Sequence, residues 1–364
     1  MKIMYCITSS SWGGAQLHVL ELCEDQIRRG NDVYFVVGNK GLLLDKVKQI
    51  KGVKTYVIPN LHREVSPVND FKAIFKLRRL IKKIQPDILH LHSSKAGTIG
   101  RLASIGLNCK VIFTVHGWAF TDGNGTGFSK MIYRLVEKVN EPLTDMYFCV
   151  SNFDKRIGYR DGVLKQEDKV AVIHNGVPQR IMVNRDKITL PIKIIMVARF
   201  SPQKNQEMLI KALAKVDKKK FELIFVGDGE TLEYNKKLVK KLGLQDQTVF
   251  YGFKQDVLKY LEESDLYVLT THYEGLPISI IEAMSCSLPI IASNVGGNNE
   301  LVKNDFNGYL VSESNELVER LNYLLDNPEV LTKMGENSFK LFNSEFKLSK
   351  CLSSVNYRYE QIIK

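Results

Sequence analysis

The chain has 364 residues, of which 44% are hydrophobic and 25% are charged, and its formal net charge is +11 at pH 7. This length accommodates two domains, each with its own core, and the composition is that of a soluble globular protein. No apolar run approaches the roughly 18 residues that a membrane-spanning helix needs, and the N-terminus lacks the features of a signal peptide, so we expect a cytoplasmic protein. The six cysteines are scattered without a C-x-x-C pair, which argues against a disulfide framework and a metal site.

The positive charge lies in the first half of the chain. Residues 1–180 contain 27 Lys and Arg against 16 Asp and Glu, so the remainder is balanced. This asymmetry predicts that the first half faces an anionic partner: a membrane surface, a nucleic acid or a phosphorylated substrate. Nucleic acid is disfavoured, because no motif of interleaved aromatic and basic residues accompanies the charge.

The first half alternates short apolar segments of strand length with helical patterns. We predict strands at Lys2–Thr8, Asp32–Val37, Lys54–Ile58, Asp87–Leu91, Lys110–Val115, Asp145–Val150 and Lys169–Ile173. We predict helices at Ala15–Arg29, Asp70–Ile84 and Phe128–Val139. This alternation, with strands that are apolar along most of their length, predicts a parallel sheet covered by helices on both faces.

The second half repeats the alternation after a polar stretch bracketed by prolines, which predicts a linker over residues 181–191. We predict strands at Ile192–Ala198, Phe221–Val226, Thr248–Tyr251, Asp265–Leu269 and Pro289–Ala292. We predict helices at Asn205–Lys215, Thr231–Leu242, Val257–Glu263 and Pro277–Ser285, and a wholly helical tail from Asn315. The expected organisation is therefore a first domain over residues 1–180, a second over residues 192–345, and a C-terminal helix over residues 346–364 that packs back on the first domain.

Ligands of parallel sheets bind beyond the carboxyl ends of the strands, so the loops there are candidate sites. After the first strand, Gly13 and Gly14 allow a close backbone approach and a positive φ, and the next helix offers amides to an anion. An ordinary strand-to-helix turn explains these two glycines equally well. His116 ends another strand and is equally consistent with a catalytic and a structural role. The glycine-rich segment 121–127 predicts a mobile loop.

Two cations follow the first strand of the second half. Arg199 and Lys204 lie five residues apart in one loop and can converge on a pyrophosphate, with Arg as a planar fork and Lys as a point charge. Taken alone, this pair is better explained as a solvated surface pair. No G-x-G-x-x-G sequence occurs in the chain, which disfavours a nicotinamide or flavin enzyme.

Two carboxylates flank a turn in the segment THYEGLPISIIEAM. Glu274 lies in the loop after a predicted strand, and Glu282 lies inside the helix that follows. The residues from Gly275 to Ser279 are predicted to present backbone amides toward a phosphate, and Gly275, Leu276 and Pro277 contribute through the backbone that they shape. Because carboxylates accept hydrogen bonds from sugar hydroxyls, a pyrophosphate between two sugars fits this layout, and the sequence predicts a nucleotide-sugar site.

These segments together resemble the family-4 glycosyltransferases, which have the GT-B fold. EGLPISIIE (Glu274–Glu282) matches their E-x7-E motif, and ARFSPQKN (Ala198–Asn205) matches their Arg/Lys diphosphate clamp. WGGAQ, TVHGWAF and IHNGV match three elements of their N-terminal domain, and SNVGGNNELV matches a downstream element. The resemblance covers nearly the full chain and implies an α/β protein of two doubly wound Rossmann-like domains facing a cleft. The first would be the acceptor side and the second the nucleotide-sugar-binding domain.

The resemblance also implies the chemistry, which is transfer of a sugar with retention of its anomeric configuration and without an obligatory metal or other cofactor. Arg199 and Lys204 would neutralise the leaving diphosphate, Glu282 would bind the ribose, and Glu274 would contact hydroxyls of the donor sugar. His116 would hydrogen-bond the donor sugar near the reacting centre. Consistent with this, the chain has no Asp-x-Asp metal motif. The expected donor is UDP-N-acetylhexosamine or, next, a UDP-hexose.

In the same way, the resemblance implies that the backbone at Gly13 and Gly14 approaches the donor. The segment LHLHSSKAGTIGRLA (Leu89–Ala103) resembles a subset of the family that acts in bacterial capsule, exopolysaccharide or O-antigen assembly. Their acceptors are polyprenyl-diphosphate-linked sugars at the inner face of the cell membrane. Lys95 and Arg101 in this segment are candidate contacts to the acceptor phosphate.

The predicted helix at Asp70–Ile84 supports a membrane partner independently. Its apolar stripe is predicted to comprise Phe71, Ile74, Leu77 (or Arg78), Ile81 and Ile84. Four cations lie at helical spacing on another face: Lys72, Lys76, Arg79 and Lys83. This pattern favours a basic amphipathic helix that docks on an anionic membrane surface, although a helix packed on the core with a solvated basic face is the commoner case.

Two other functions stay open from the sequence. A sugar-nucleotide epimerase can share this architecture, and it would isomerise the donor with no acceptor present. A non-catalytic partner subunit of another transferase would not need the intact set Arg199, Lys204, Glu274 and Glu282.

Overall fold

The computed structural model describes residues 1–121, 127–185 and 188–364. These residues form two compact units. The first consists of Met1–Thr121, the described residues up to Asn175, and Cys351–Lys364, and the second is Gly176–Lys350. Residues 122–126 of the predicted mobile loop and residues 186–187 of the predicted linker lie outside the described residues.

The first unit contains a parallel sheet of seven strands in the order β3-β2-β1-β4-β5-β6-β7. The strands are β1 (Lys2–Ile7), β2 (Asp32–Val37), β3 (Lys54–Val57), β4 (Ile88–Leu91), β5 (Lys110–Val115), β6 (Met146–Cys149) and β7 (Val170–Val172). The helices are α1 (Gly14–Arg28), α2 (Leu42–Gln49), α3 (Pro67–Ile84), α4 (Ser94–Ser104), α5 (Gly127–Asn140) and α6 (Asn152–Arg160).

The second unit contains a parallel sheet of six strands in the order β10-β9-β8-β11-β12-β13. The strands are β8 (Ile192–Val197), β9 (Phe221–Val226), β10 (Thr248–Phe250), β11 (Leu266–Leu269), β12 (Ile290–Ser293) and β13 (Gly308–Val311). The helices are α7 (Gln206–Leu213), α8 (Leu232–Lys241), α9 (Leu258–Glu262), α10 (Ile278–Ser285), α11 (Asn298–Leu301), α12 (Ser314–Asp326) and α13 (Pro328–Glu345). The last helix, α14 (Leu348–Ile363), lies in the first unit from Cys351 onward.

Both sheets are doubly wound, which confirms the predicted α/β class. In the first sheet, β2 and β3 are added on one side of β1, and β4 and the later strands are added on the other side. In the second sheet, β9 and β10 lie on one side of β8, and β11 and the later strands lie on the other side, so the direction of addition reverses once in each sheet. Because the crossovers are right-handed, helices whose crossovers run in one direction lie on one face of each sheet, and helices whose crossovers run in the other direction lie on the opposite face. Strands buried along most of their length, such as β4 and β11, fit this double coverage. The loops at these two reversals are the expected ligand-binding positions.

Several short elements escaped prediction, namely α2, α4, α6, α11 and β13. Helix α4 is rich in glycine and serine, and it is held by packing on the sheet and by Ser93, whose hydroxyl accepts a bond from the Ala96 amide. Strand β13 begins at Gly308, where a Cβ would stand 1.8 Å from the Ile290 carbonyl oxygen. Elements of this kind are stabilised by contacts with distant parts of the chain, so the local sequence pattern does not predict them.

Helix α14 joins the C-terminus to the first sheet. The Tyr359 hydroxyl lies 3.2 Å from the Tyr5 hydroxyl and 2.5 Å from Nδ1 of His90. Asn356 accepts a hydrogen bond from Gln26 at 2.7 Å and donates to Asp25 at 2.7 Å. These contacts are buried, so they fix how α14 sits on β1 and α1.

In the part of the chain that the structure describes, every helix is too short or too polar to cross a bilayer.

Candidate functional site

The reversal of the second sheet brings two oppositely charged side chains together. Lys204 ends a short 3-10 turn in the loop after β8, and Glu274 lies in the loop after β11. The Lys204 ammonium is paired with the Glu274 carboxylate, and the side chains are only 18% and 8% exposed. Arg199, at the start of the same loop, is exposed. The structure therefore brings Lys204 and Glu274 together and leaves the Arg199 side chain facing solvent.

The two loops are joined by polar contacts that sequence reasoning missed. Gln203 donates from its amide nitrogen to the Tyr273 carbonyl at 2.8 Å, and its own carbonyl accepts the His272 amide at 2.8 Å. Thr270 donates its hydroxyl proton to the Asn205 carbonyl at 2.9 Å. These bonds hold the Lys204 turn against the Glu274 turn. The signal for them was weak, since Gln and Thr in loops are common.

Three glycines fit the neighbouring loops against this pair. A Cβ at Gly227 would stand 2.0 Å from the Ala198 carbonyl oxygen, and one at Gly229 would stand 2.2 Å from the Phe200 carbonyl oxygen. A Cβ at Gly296, where φ is +59°, would stand 2.0 Å from the Glu274 carbonyl oxygen. The glycines of VGDGE and SNVGGNNELV therefore shape the backbone that carries the charged residues.

The turn between the two glutamates leads into α10 as expected, but the helix begins at Ile278, one residue later than predicted. Pro277 is the N-cap of α10, and Gly275, Leu276 and Pro277 are all buried. The Gly275 carbonyl accepts a bond from the Gly297 amide at 2.9 Å. The first turn of a helix has amides without intrahelical partners, so this segment can present N–H groups to an anion.

Glu282 is partly buried inside α10, and its pKa is raised to about 7. Loss of hydration is the main cause, and the positive charge of Arg180 opposes it. The buried Tyr267 hydroxyl, which donates to the Val197 carbonyl at 3.2 Å, has a pKa raised by burial and by the nearby carboxylates. Near neutral pH the Glu282 carboxyl thus divides between a form that donates a hydrogen bond and one that only accepts.

In the first unit, the reversal of the sheet collects four histidines. His18 is on α1, His90 is on β4, His92 follows β4, and His116 follows β5. Nδ1 of His92 lies 3.2 Å from Nε2 of His116, and the His18 ring meets the His116 ring edge-on with centroids 5.4 Å apart. His90 also contacts the Thr114 hydroxyl through Nε2 at 2.7 Å. Sequence reasoning selected His116 and missed the other three.

Burial keeps this cluster neutral. It lowers the pKa of His18 to about 4 and lowers those of His90, His92 and His116 as well, with a further lowering from the neighbouring histidines. Among the described residues, no group of three or more histidine, cysteine, aspartate and glutamate side chains is arranged to hold a metal ion. A neutral His116 can both donate and accept a hydrogen bond.

Gly13 and Gly14 adopt ordinary backbone conformations. Gly13 is extended with φ 177°, and Gly14 is the first residue of α1. Neither glycine therefore adopts the positive φ that glycine allows. They lie at the start of α1, where a backbone approach to a ligand is still open to them.

The two candidate acceptor contacts are engaged within the fold. Lys95 on α4 pairs with Asp70 on α3 at 2.5 Å. Arg101 is fully buried, donates to Glu137 on α5 at 2.8 Å, and lies over the Phe113 ring at 4.2 Å. Because its guanidinium does not reach solvent, we correct its assignment from an acceptor contact to a side chain that joins α4 to α5.

The stripe predicted for α3 is divided between core and solvent. Leu77, Ile81 and Ile84 are buried in the first unit's core, and Arg78 bonds to the backbone at the end of α4. Phe71, which was predicted to share that stripe, is 62% exposed. The cations all face solvent as expected: Lys72, Lys76, Arg79 and Lys83.

Two family models match the chain. One, described as Glycosyltransferase Family 4, matches residues 12–180, and the other, described as Glycosyl transferases group 1, matches residues 180–341. The chain is 31% identical over 354 residues to an Escherichia coli protein named UDP-Gal:alpha-D-GlcNAc-diphosphoundecaprenol alpha-1,3-galactosyltransferase, an alignment that covers 91% of this chain and 89% of that one. It is also 31% identical over 315 residues to the Escherichia coli O-antigen biosynthesis glycosyltransferase WbnH, covering 86% and 87% of the two chains.

Solved structures share the fold at low sequence identity. The complex of Anabaena Alr3699/HepE with UDP and glucose superposes with a TM-score of 0.79 at 20% identity and covers 99% of both chains. Sucrose-phosphate synthase from Thermosynechococcus elongatus superposes with a TM-score of 0.85 at 18% identity and covers 99% of this chain and 98% of that one. Both neighbours are GT-B proteins, so the predicted fold is confirmed.

Proposed function

The chain belongs to the family-4 glycosyltransferases, and we propose that it moves a sugar from a UDP-sugar to a lipid-linked saccharide in the synthesis of a bacterial surface polysaccharide. The relative named for UDP-galactose and a diphosphoundecaprenol-linked acceptor supports both substrate classes. Because that relative is named for UDP-galactose, a UDP-hexose is the first donor to test, and UDP-N-acetylhexosamine is the second.

The observation that carries the proposal is the Lys204–Glu274 pair beside the start of α10. Glu274 holds the Lys204 side chain, so the ammonium lies near the loop in which a diphosphate would bind. The amides at the start of α10 supply further positive potential. Arg199, which is exposed in the same loop, can form a bidentate contact with a phosphate.

We assign the two glutamates to the two sugars of the donor. Glu274, once Lys204 turns to the diphosphate, accepts hydrogen bonds from hydroxyls of the transferred sugar. Glu282 binds the ribose, and its pKa of about 7 allows it to accept from one hydroxyl or donate to another. Gly275, Leu276 and Pro277 act through the backbone that they shape.

The proposed reaction is the departure of UDP from the anomeric carbon with retention of configuration. Negative charge develops on the diphosphate as the glycosidic bond breaks, and fixed cations aimed at that charge lower the barrier. Arg199 and Lys204 take this role, and no metal or other cofactor is proposed. His116 hydrogen-bonds the donor sugar, and the backbone at Gly13 and Gly14 approaches the donor.

The acceptor places the protein at the inner face of the cell membrane, as a peripheral protein. The exposed cations of α3, Lys72, Lys76, Arg79 and Lys83, support this location. Each cation near an anionic leaflet contributes about 1 kcal/mol to binding. Lys95 is a weaker candidate for the acceptor phosphate, because it would first have to leave Asp70.

The test is a panel of UDP-hexoses and UDP-N-acetylhexosamines with a synthetic polyprenyl-diphosphate-GlcNAc acceptor. One donor should give a glycosylated lipid with retained anomeric configuration, as read by NMR of the product. An isomerised donor in the absence of acceptor would instead support an epimerase. A protein that binds UDP but turns over no donor in the panel would support a non-catalytic subunit.

A further inference from the structure

Helix α5 exposes the face that a surface helix normally buries. Phe128 is 69% exposed, Leu135 is 61% exposed and Val139 is 65% exposed. Their spacing places them along one side of the helix. Three more apolar side chains are exposed on α5: Met131, Ile132 and Tyr133. A globular protein normally turns such a stripe toward its core and its polar residues toward water.

The polar side of α5 holds the helix to the protein. Glu137 is buried and accepts a bond from Arg101 of α4 at 2.8 Å. Arg134 pairs with Asp161 at 3.0 Å and lies over the Phe120 ring at 5.7 Å. The helix is therefore anchored by ion pairs, and the fold of the first unit leaves its apolar stripe in contact with solvent.

Helix α3 extends this surface. The crossovers from β3 to β4, β4 to β5 and β5 to β6 run in the same direction, so α3, α4 and α5 lie on the same face of the sheet, and α4 packs against both of the others. On α3, Phe71 and Phe75 are 62% and 57% exposed, with their rings 4.6 Å apart. We call the exposed residues of α3 and α5 the outer face.

The charge of the outer face identifies its partner. The only acidic residues in the sequences of the two helices are Asp70 and Glu137, and both are paired with cations of α4. The exposed charges that remain are positive: Lys72, Lys76, Arg79, Lys82, Lys83 and Lys138. A second copy of this chain would bring like charges together, whereas an anionic bilayer offers a negative surface above an apolar interior.

We propose that α5 is a membrane-inserting helix, whose apolar stripe enters an anionic bilayer while the cations of α3 contact the lipid phosphates. The proposal deepens the proposed function, since a lipid-linked acceptor requires contact with the bilayer, and it adds the element that enters it. Helix α5 follows β5, and His116 lies directly beyond the carboxyl end of that strand. The inserted helix would thus bring the bilayer to the edge of the sheet that carries His116.

The first test is sedimentation of the full-length protein with vesicles of phosphatidylcholine, with and without phosphatidylglycerol. The variant Phe128→Ser/Leu135→Ser/Val139→Ser should bind the anionic vesicles at least about tenfold more weakly than wild type. The matched control is Ile181→Ser, because Ile181 is 91% exposed in the second unit, and it should bind as wild type does. Lys72→Gln/Lys76→Gln/Arg79→Gln should remove the preference for phosphatidylglycerol.

The second test does not depend on the stability of the triple variant. Leu135→Trp should show a blue-shifted emission with anionic vesicles and quenching by lipids with brominated acyl chains, whereas Ile181→Trp should show neither. Unchanged vesicle binding by the triple-serine variant, or an emission from Leu135→Trp that stays typical of a water-exposed indole, would overturn the proposal. A dimer in ultracentrifugation that the triple variant dissociates, with vesicle binding intact, would also overturn it and show self-association instead.

Vesicle binding requires no turnover, so the docking proposal can hold even if the donor panel shows no transfer. Conversely, transfer to a short-chain, water-soluble acceptor by the triple variant would sustain the proposed function if docking fails.

Discussion

Lys204 and Glu274 are 70 positions apart in the chain, yet their charges meet where the second sheet reverses. Both side chains are largely buried, and the desolvation of such a pair offsets much of its attraction. The pair therefore contributes little net stability, and we propose that it serves ligand binding. A diphosphate between the two loops would offer Lys204 a second anion and release Glu274 for a sugar hydroxyl.

We expect Lys204→Ala to lower kcat/KM for transfer by about 100- to 1000-fold, because the variant loses a cation aimed at the leaving group. Lys211→Ala is the matched control, since Lys211 pairs with Glu207 on the exposed side of α7. It should change kcat/KM by less than about twofold. Steady-state kinetics with the accepted donor measure kcat/KM for both variants. An equal loss of kcat/KM in the two variants would contradict the proposed role of Lys204.

Glu282 should make the stability of the protein depend on pH. Its pKa is about 7 in the folded state against an ordinary value of 4.5, so the folded state binds more protons between these values. The stabilisation is present below pH 4.5 and is lost as the pH rises through 7. Glu282→Gln removes this loss.

Urea unfolding at several pH values measures the difference. Between about pH 4 and pH 8, the wild type should lose about 1–3 kcal/mol more unfolding free energy than Glu282→Gln. Parallel profiles for the two proteins would show that the pKa of Glu282 is not raised.

At the scale of elements, Gly296 in the loop after β12 allows that loop to pack closely against the Glu274 turn. Gly296→Ala places a Cβ against the Glu274 carbonyl and also forces a left-handed conformation on alanine. Gly252→Ala separates the two effects, because Gly252 has φ +68° and nothing within 4 Å of its Cβ position. We expect Gly252→Ala to lower stability by about 1 kcal/mol and to keep activity, and Gly296→Ala to lose activity at least about tenfold.

Full activity in Gly296→Ala, measured by donor turnover with a melting curve for each variant, would mean that the Glu274 turn tolerates displacement.

The Arg101–Glu137 pair joins α4 to α5 in the interior of the first unit. Removing one partner leaves an uncompensated buried charge, so Arg101→Met should lower the free energy of unfolding by about 3–5 kcal/mol. The double variant Arg101→Met/Glu137→Met should recover most of that loss. Urea unfolding of the single and double variants forms the cycle that measures the coupling.

The same variants test the earlier assignment of Arg101 to the acceptor phosphate. The double variant should keep the KM for the acceptor within about twofold of wild type. A large rise in that KM at restored stability would return Arg101 to the acceptor site.

At the scale of the whole molecule, the first unit is closed by the two ends of the chain. Tyr5 on the first strand and Tyr359 on the last helix meet at His90. The four histidines come from three separate stretches of sequence and form a neutral, largely buried cluster next to this junction. Such a cluster makes the unit sensitive to acid, because protonation requires a charge in the interior.

The histidines should destabilise the protein as the pH falls. The pKa of His18 is lowered from 6.5 to about 4, so the folded state binds fewer protons and the stability present above pH 6.5 is lost toward pH 4. His18→Phe keeps a ring against His116 and should reduce the loss of unfolding free energy between pH 7 and pH 5 by about 2 kcal/mol. His62→Gln, outside the cluster, is the control. Denaturant unfolding at pH 7 and pH 5 measures this loss. An identical loss of unfolding free energy in wild type and His18→Phe would contradict the prediction.

Strands were predicted to within a residue or two wherever an apolar run was bounded by polar residues. Asp32–Val37, Lys110–Val115 and Phe221–Val226 are identical in prediction and structure. The missed helices α2, α4 and α6 are short or rich in small residues, and packing on the sheet rather than local pattern stabilises them. For the candidate site, motif spacing predicted Lys204, Glu274 and Glu282, but it did not reveal the contacts of Gln203 or the close approach of Gly296 to Glu274.

Local pattern was thus sufficient for properties that depend on neighbours in the chain: the alternation that yields two parallel sheets, and the cations and carboxylates that follow particular strands. Properties that depend on distant residues needed the folded protein, such as the Lys204–Glu274 pair and the burial of Arg101 against Glu137. The outward direction of the apolar stripe of α5 also depends on distant residues. Helical periodicity reveals that a helix has an apolar stripe, but the packing of neighbouring elements determines whether that stripe faces the core or the solvent. In this protein the ion pairs Arg101–Glu137 and Arg134–Asp161 hold the polar side of α5 inward, and its apolar side faces solvent.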